Sequence, residues 1–195
     1  MKKALVFGLI LLLLAVGCIK KQAEAPATPA EMAAPTAETS DEPRNYAFTF
    51  TAKTLDGNTV TESVFGRYDL TMVNVWASWC GPCCKELPDL SELYKILPEN
   101  VGFLSVTIDD PEDLKAAQDI LAENGCTFPC LDGQASAGLT ENVLSGVMAI
   151  PTTLFFDRSG NQVGTSILGA PDLNGSVVEG YLHELQARLD LLNAK

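Results

Sequence analysis

Histidine is all but missing from this chain: His183 stands alone among 195 residues. A single imidazole removes the two-Cys, two-His zinc site and the Cys–His and Ser–His nucleophile systems from consideration. Basic residues are scarce too, 13 Lys and Arg against 25 Asp and Glu. No basic stripe is present to neutralise phosphates, which excludes nucleic acid as a partner. The acidity reads as a solvated surface that favours solubility and weakly repels anionic surfaces. Cysteine, at six residues, is too thin for a small fold stapled by disulfides. A covalent c-type haem is ruled out because Cys83 is followed by Cys84 and not by histidine. No apolar run reaches the roughly 20 residues that a membrane span needs. No internal repeat is visible, and nothing implies a metal or an organic cofactor.

What is present begins with an address. Met1-Lys2-Lys3 is a short positive stretch, and Ala4 to Val16 is almost unbroken apolar sequence, the build of a signal-peptide core. It ends on Leu14-Ala15-Val16-Gly17-Cys18. This resembles a bacterial lipobox, although Ala15 stands where Leu is commoner. The resemblance implies cleavage before Cys18 and acylation of that cysteine; an ordinary signal peptide and an uncleaved anchor are the alternatives. Residues 20–45 are dominated by Ala, Pro, Thr and Glu. They offer too little apolar surface to offset the entropy of ordering, and their prolines favour extended conformations. The expected organisation is a lipoprotein signal peptide over 1–17, a lipidated cysteine and tether over 18–45, and one folded domain over 46–195.

From Tyr46 the composition becomes that of a globular domain. Phe48 and Phe50 alternate with threonines, Asp56-Gly57-Asn58 is a turn signal, and Val60 opens a return strand. Leu70–Trp76 reads as a buried strand. Beyond Cys80-Gly81-Pro82-Cys83, residues Leu87, Leu90, Leu93, Tyr94 and Leu97 recur at helical spacing. Pro82 suits a first helical turn, whereas Pro88 should kink the helix. A strand over Val101–Ile108 and a helix over Glu112–Glu123 follow. Strands over Thr152–Phe156 and Gln162–Leu168 flank the turn Asp157–Asn161, and a helix over Val177–Leu192 ends the pattern. The order implies an α/β sandwich with a mixed sheet.

Two cysteines separated by two residues at a helix start can close a small disulfide ring. Cys80 sits where unpaired N–H groups and the helix dipole favour an anion. Thiolate is the attacking species in disulfide exchange, so this placement raises the reactivity of Cys80. Cys83, one turn further in, is expected to be more buried and to resolve the mixed disulfide that Cys80 forms. Gly81 and Pro82 between them tune the couple. For a bare CxxC, zinc binding is the main competing reading.

The stretch Val73-Asn74-Val75-Trp76-Ala77-Ser78-Trp79-Cys80-Gly81-Pro82-Cys83 resembles the active-site strand and helix start of thioredoxins. Ala149-Ile150-Pro151-Thr152-Thr153-Leu154-Phe155-Phe156 resembles the segment that carries the cis-proline of that fold. The resemblance spans about residues 46–192. It implies a thioredoxin fold, a central mixed β-sheet flanked by helices, with an added N-terminal β-hairpin. It implies a cis Ile150–Pro151 bond facing the cysteines, the alternative being a trans proline at a strand start. Trp79, Gly81, Pro82, Ile150 and Pro151 then form the substrate-binding surface. Within the family the chain is most similar to the membrane-tethered TlpA/ResA type, on the lipobox, Asn74 and the run Cys84-Lys85-Glu86-Leu87-Pro88. Asn74 stands where cytoplasmic thioredoxin has a buried, titrating Asp. Glu86, three residues after Cys83 and on its helix face, is the candidate for proton transfer if burial raises its pKa; an exposed helix Glu is the alternative.

Three further cysteines depart from the template. Cys84 lies about 100° around the helix from Cys83 and reads as a bystander thiol open to oxidation. Cys126 and Cys130, if the chain between them is extended, lie ~13 Å apart, beyond the about 7 Å that a disulfide tolerates. Two buried thiols are expected, with a second disulfide possible only if the chain bends. His183 reads as a surface residue of the last helix.

The resemblance implies an extracytoplasmic, lipid-anchored thiol–disulfide oxidoreductase, and a reductase because its Gly-Pro pair resembles that of reducing thioredoxins. Its implied partners are disulfide-bearing exported proteins (an apocytochrome c, a methionine sulfoxide reductase or similar) and a membrane thiol donor of the CcdA/DsbD kind. An oxidant or isomerase is the alternative in the same class. A copper chaperone using the Cys80–Cys84 spacing is the alternative from another class.

Overall fold

A computed structural model describes residues 45–194; the expected signal peptide, Cys18 and nearly all of the tether lie outside the described residues. The chain opens with a hairpin of β1 (Thr51–Lys53) and β2 (Thr59–Thr61), paired Thr51 to Thr61. Its turn is tied by the Thr54 hydroxyl, which accepts from Asn58 N at 2.9 Å. Phe48 and Phe50, expected in the first strand, instead precede it. They pack with Phe65 and Phe156, ring centroids 5.2–6.2 Å apart. A 3₁₀ segment over Glu62–Arg67 then leads into the main sheet.

That sheet is built from β3 (Leu70–Trp76), β4 (Val101–Thr107), β5 (Cys130–Asp132), β6 (Thr152–Asp157) and β7 (Ile167–Leu168), in the order β5-β4-β3-β6-β7. β3, β4 and β5 run parallel, while β6 is antiparallel to β3 and β7 to β6. Every residue of β3 and β4 is buried, as central strands covered on both faces require. α1 (Gly81–Ile96), α2 (Leu114–Glu123) and α4 (Val177–Asn193) supply Leu87, Leu90, Leu93, Ala117, Tyr181 and Leu185 to the core on one face. The hairpin, the 3₁₀ segment and the short α3 (Ala137–Asn142) cover the other with Phe50, Val60, Phe65 and Leu139. The hairpin also caps the β5 edge, where Leu55 N donates to Cys130 O at 2.8 Å. The expected central mixed sheet with flanking helices and an added N-terminal hairpin is present.

Side-chain alternation along β3 decides what reaches the site. Met72 and Trp76 point to the α1/α4 face and Val73 and Val75 to the other, so Asn74 falls on the α1/α4 face. The same parity on β6 sends Thr153 with Phe155 to that face.

Element boundaries differ from expectation in places. The strand expected over 162–168 is interrupted: Gln162 makes a lone bridge to Phe156, and only Ile167–Leu168 continue the sheet. Gly164, at φ 70°, turns the chain out of extended conformation between them. The helix expected from Glu112 starts at Leu114, because Asp110–Asp113 form a turn closed by Asp113 N to Asp110 O at 2.9 Å. β5 and α3 had no counterpart in the sequence reading. Pro88 lies inside α1, which continues to Ile96.

Candidate active site

The site forms where β3 hands over to α1. Cys80 is the N-cap of α1, in extended conformation, and its sulfur accepts from Cys83 N at 3.3 Å. Pro82 occupies the first turn, where no intrahelical donor is lost. Cys80 and Cys83 are joined in a disulfide with Cα atoms 5.2 Å apart. Cys80 is 6% exposed and Cys83 fully buried, so the outer sulfur is the one a partner can reach.

Opposite the disulfide, the Ile150–Pro151 bond is cis, and Ile150 O lies 3.7 Å from Cys80 Sγ. Two hydrogen bonds fix this loop: Thr152 Oγ1 donates to Ala149 O at 2.7 Å, and Gly169 N donates to Pro151 O at 2.8 Å. Next to Cys80 in sequence, Trp79 is 65% exposed. Gly81 and Pro82 are exposed, Ile150 is half-buried and Pro151 buried. Trp79, Gly81 and Pro82 thus flank Cys80 with solvent-exposed side chains and backbone.

The loop before Cys80 is anchored from β4. Asp109, fully buried just after that strand, accepts from Ser78 N at 2.9 and 3.1 Å and from Ser78 Oγ at 2.6 Å. The Thr107 hydroxyl donates to the same carboxylate.

Behind Cys83, four buried polar side chains from four elements meet. Asn74 Nδ2 donates to Glu86 Oε1 at 2.8 Å and to Thr153 Oγ1 at 3.2 Å. Tyr181 of α4 donates from its hydroxyl to Glu86 Oε2 at 3.4 Å and lies 3.1 Å from Thr153 Oγ1. Glu86 is 3% exposed. Burial pushes its carboxyl up to about 7, helped by the nearby Asp89 and opposed by the hydrogen bonds from Asn74 and Tyr181. Burial, with the neighbouring Glu86, drives the Tyr181 hydroxyl far above its ordinary value, so this tyrosine stays neutral and acts as a donor. A carboxyl raised to about 7 can gain and lose a proton near neutrality.

Among the described residues, the remaining cysteines, Cys84, Cys126 and Cys130, are free thiols. Cys84, half-buried, donates from Sγ to Ser78 O at 3.4 Å. Cys130 is buried; Cys126 is only half-buried, where two buried thiols had been expected, and points back to Leu87 O at 3.6 Å. Burial pushes both thiols up to about 11. His183 is exposed on α4. A groove of about 650 Å³ lined by Asp69, Asn100, Arg158, Ser159, Gln186 and Leu189 sits at the far end of β3 and includes neither cysteine of the pair.

Asp109, Thr153 and Tyr181 were missed by the sequence reading. Thr153 had a signal, since strand parity places it with Phe155. Tyr181 lies on the apolar stripe of α4, where a hydroxyl gives no hint of the carboxylate it meets.

A family model described as the AhpC/TSA family matches residues 43–162. The chain is 27% identical over 121 residues to sporulation thiol-disulfide oxidoreductase A of Bacillus subtilis (strain 168), covering 60% of this chain and 70% of that protein. It is 32% identical over 115 residues to thiol-disulfide oxidoreductase ResA of Bacillus thuringiensis (strain Al Hakam), covering 58% of this chain and 61% of ResA. The chain thus spans less than two thirds of that ResA. Among solved structures, the exposed lipoprotein thioredoxin of Streptococcus pneumoniae strain TIGR4 superposes with a TM-score of 0.54 at 25% identity, covering 71% of this chain and 98% of that one.

Proposed function

The chain belongs to the AhpC/TSA family, with a thioredoxin-like fold and relatives of the ResA type, and from that premise we propose that it reduces disulfides of exported proteins by dithiol–disulfide exchange. The observation that carries this is the Cys80–Cys83 disulfide at the start of α1, held against the cis Ile150–Pro151 bond.

In the reduced protein, the N-terminus of α1 stabilises a thiolate on Cys80. That thiolate attacks a client disulfide, forming a Cys80–client bond as the client's own S–S bond breaks; the departing client thiolate takes a proton from solvent. Cys83 gives its proton to the Glu86 carboxylate and attacks Cys80 Sγ. The Cys80–Cys83 disulfide forms, and the second client sulfur leaves as a thiolate. The client ends reduced by two electrons and the protein oxidised by two. Trp79, Gly81, Pro82, Ile150 and Pro151 receive the client, and nothing in this cycle calls for a metal or cofactor.

The reading extends to the cell. Residues 1–17 act as a lipoprotein signal peptide, Cys18 carries the lipid, and residues 18–45 tether the domain at the outer face of the membrane. The likeness to a pneumococcal exposed lipoprotein supports this, and among the described residues no helix is long and apolar enough to cross a membrane. Electrons then come from a membrane thiol donor of the CcdA/DsbD kind. The direction is tested by equilibrating the Cys80–Cys83 couple with glutathione. A potential near about −270 mV is expected of a reductant, whereas one near about −120 mV marks an oxidant and overturns the reductase assignment.

A further inference from the structure

The run Cys80-Gly81-Pro82-Cys83-Cys84 holds a third sulfur that the exchange cycle does not use. Cys84 lies one helical turn beyond Cys80, and its N–H donates to Cys80 O at 3.0 Å. It therefore shares the helix terminus that favours an anion on Cys80. A thiolate at Cys84 could also attack Cys80 Sγ. The exchange would balance as before, one S–S bond forming as the Cys80–client bond breaks, but it would leave a Cys80–Cys84 disulfide.

The surroundings of Cys84 oppose that route. Its Sγ–H donates to Ser78 O at 3.4 Å, a bond that needs the proton on sulfur. Ser78 in turn is gripped by Asp109, a fully buried carboxylate with no part in the cycle above. Asp109 is the charged group that faces Cys84 from the elements packed on it, while Lys85, next along α1, is exposed. Partial burial first, and the Asp109 charge second, push the Cys84 thiol upward, against a lowering contribution from its own backbone N–H.

We infer that Asp109, bound to Ser78, holds Cys84 as a hydrogen-bonded thiol and so reserves Cys80 for Cys83. Asp109 is a positioning residue with two duties: it fixes the loop that leads into Cys80, and its charge selects which sulfur resolves the mixed disulfide. This rests on the reading of Cys80 and Cys83 as the exchanging pair.

The test is alkylation of Cys84 by iodoacetamide across pH in the oxidised full chain, read by peptide mass spectrometry. There Cys80 and Cys83 are blocked by their disulfide, and Cys126 and Cys130 are pushed up to about 11. Wild-type Cys84 should react more slowly at pH 8 than an unperturbed cysteine. Asp109→Asn should accelerate it several-fold, because the charge that holds the proton on Cys84 is gone while its burial remains. Asp110→Asn, at the exposed neighbouring carboxylate, should leave the wild-type rate. So should Ser78→Ala, which keeps the Asp109 charge and the Ser78 N–H bonds. The inference is overturned if Asp109→Asn leaves the rate unchanged, or if Ser78→Ala accelerates it equally. If Asp109→Asn does not fold, the wild-type profile decides: a Cys84 as reactive as an unperturbed cysteine overturns the inference. Disulfide reduction by Cys84→Ala reports separately on the Cys80–Cys83 reading, since it is expected at the wild-type level whatever holds Cys84.

Discussion

Glu86 illustrates how one buried carboxyl links stability to chemistry. Its folded-state pKa is raised from 4.5 to about 7. The folded chain therefore holds a proton that the unfolded chain releases over that interval. The stability this contributes is complete below 4.5 and lost as pH rises through about 7. Glu86→Gln should remove this dependence and leave the variant about 3 kcal/mol more stable than wild type at pH 8. Gln can keep the pattern of bonds, its oxygen accepting from Asn74 and its amide donating to the Tyr181 oxygen. The same variant cannot take the Cys83 proton. Resolution of mixed disulfides should slow by about 10²-fold and lose its rise through pH 7. Urea melts and stopped-flow kinetics on one preparation across pH measure both. An unchanged rate would remove Glu86 from the mechanism.

Among the elements, α4 does more than cover the sheet. Through Tyr181 it reaches across α1 to the carboxylate behind Cys83 and to Thr153, two residues beyond the cis-proline. Tyr181→Phe keeps the ring's packing and removes the hydroxyl. Two buried groups then lose a partner, at a cost of about 1–2 kcal/mol. The Glu86 anion also loses a donor, so the pH at which activity rises should move upward. A variant that is only less stable would keep the wild-type pH profile. Much of the element pattern was legible in the sequence, because it rests on local signals. β3 was read residue for residue from a continuous run of β-formers, and the start of α1 from Pro82 behind the cysteine. Asn74 and Glu86 could be singled out on either side of the pair. β5 and α3 were not legible: three and six residues are too short to display a period. Tyr181 and Asp109 were hidden for another reason. Their partners are 95 and 31 residues away in sequence, and only the packing of α4 on α1 and the pairing of β4 with β3 bring them together.

On the scale of the whole molecule, the fold separates the exposed rim of Trp79, Gly81 and Pro82 beside Cys80 from the buried cluster of Asn74, Glu86, Thr153 and Tyr181. The lipid and tether proposed for residues 18–45 would hold that rim outside the cell. A full-length chain made in a bacterial host should fractionate with membranes, and Cys18→Ala should appear in the soluble extracytoplasmic fraction. Release of wild type and variant alike would leave the lipid anchor without support. The central claim concerns which sulfur attacks, and trapping measures it. Cys83→Ser keeps Cys80, the more accessible of the two sulfurs, without its resolving partner, so non-reducing gels should show clients held as mixed disulfides that dithiothreitol releases. Cys80→Ser should capture almost nothing, because Cys83 is buried. Equal capture by the two variants would contradict the assignment of Cys80 as the attacking thiol and Cys83 as the resolving one.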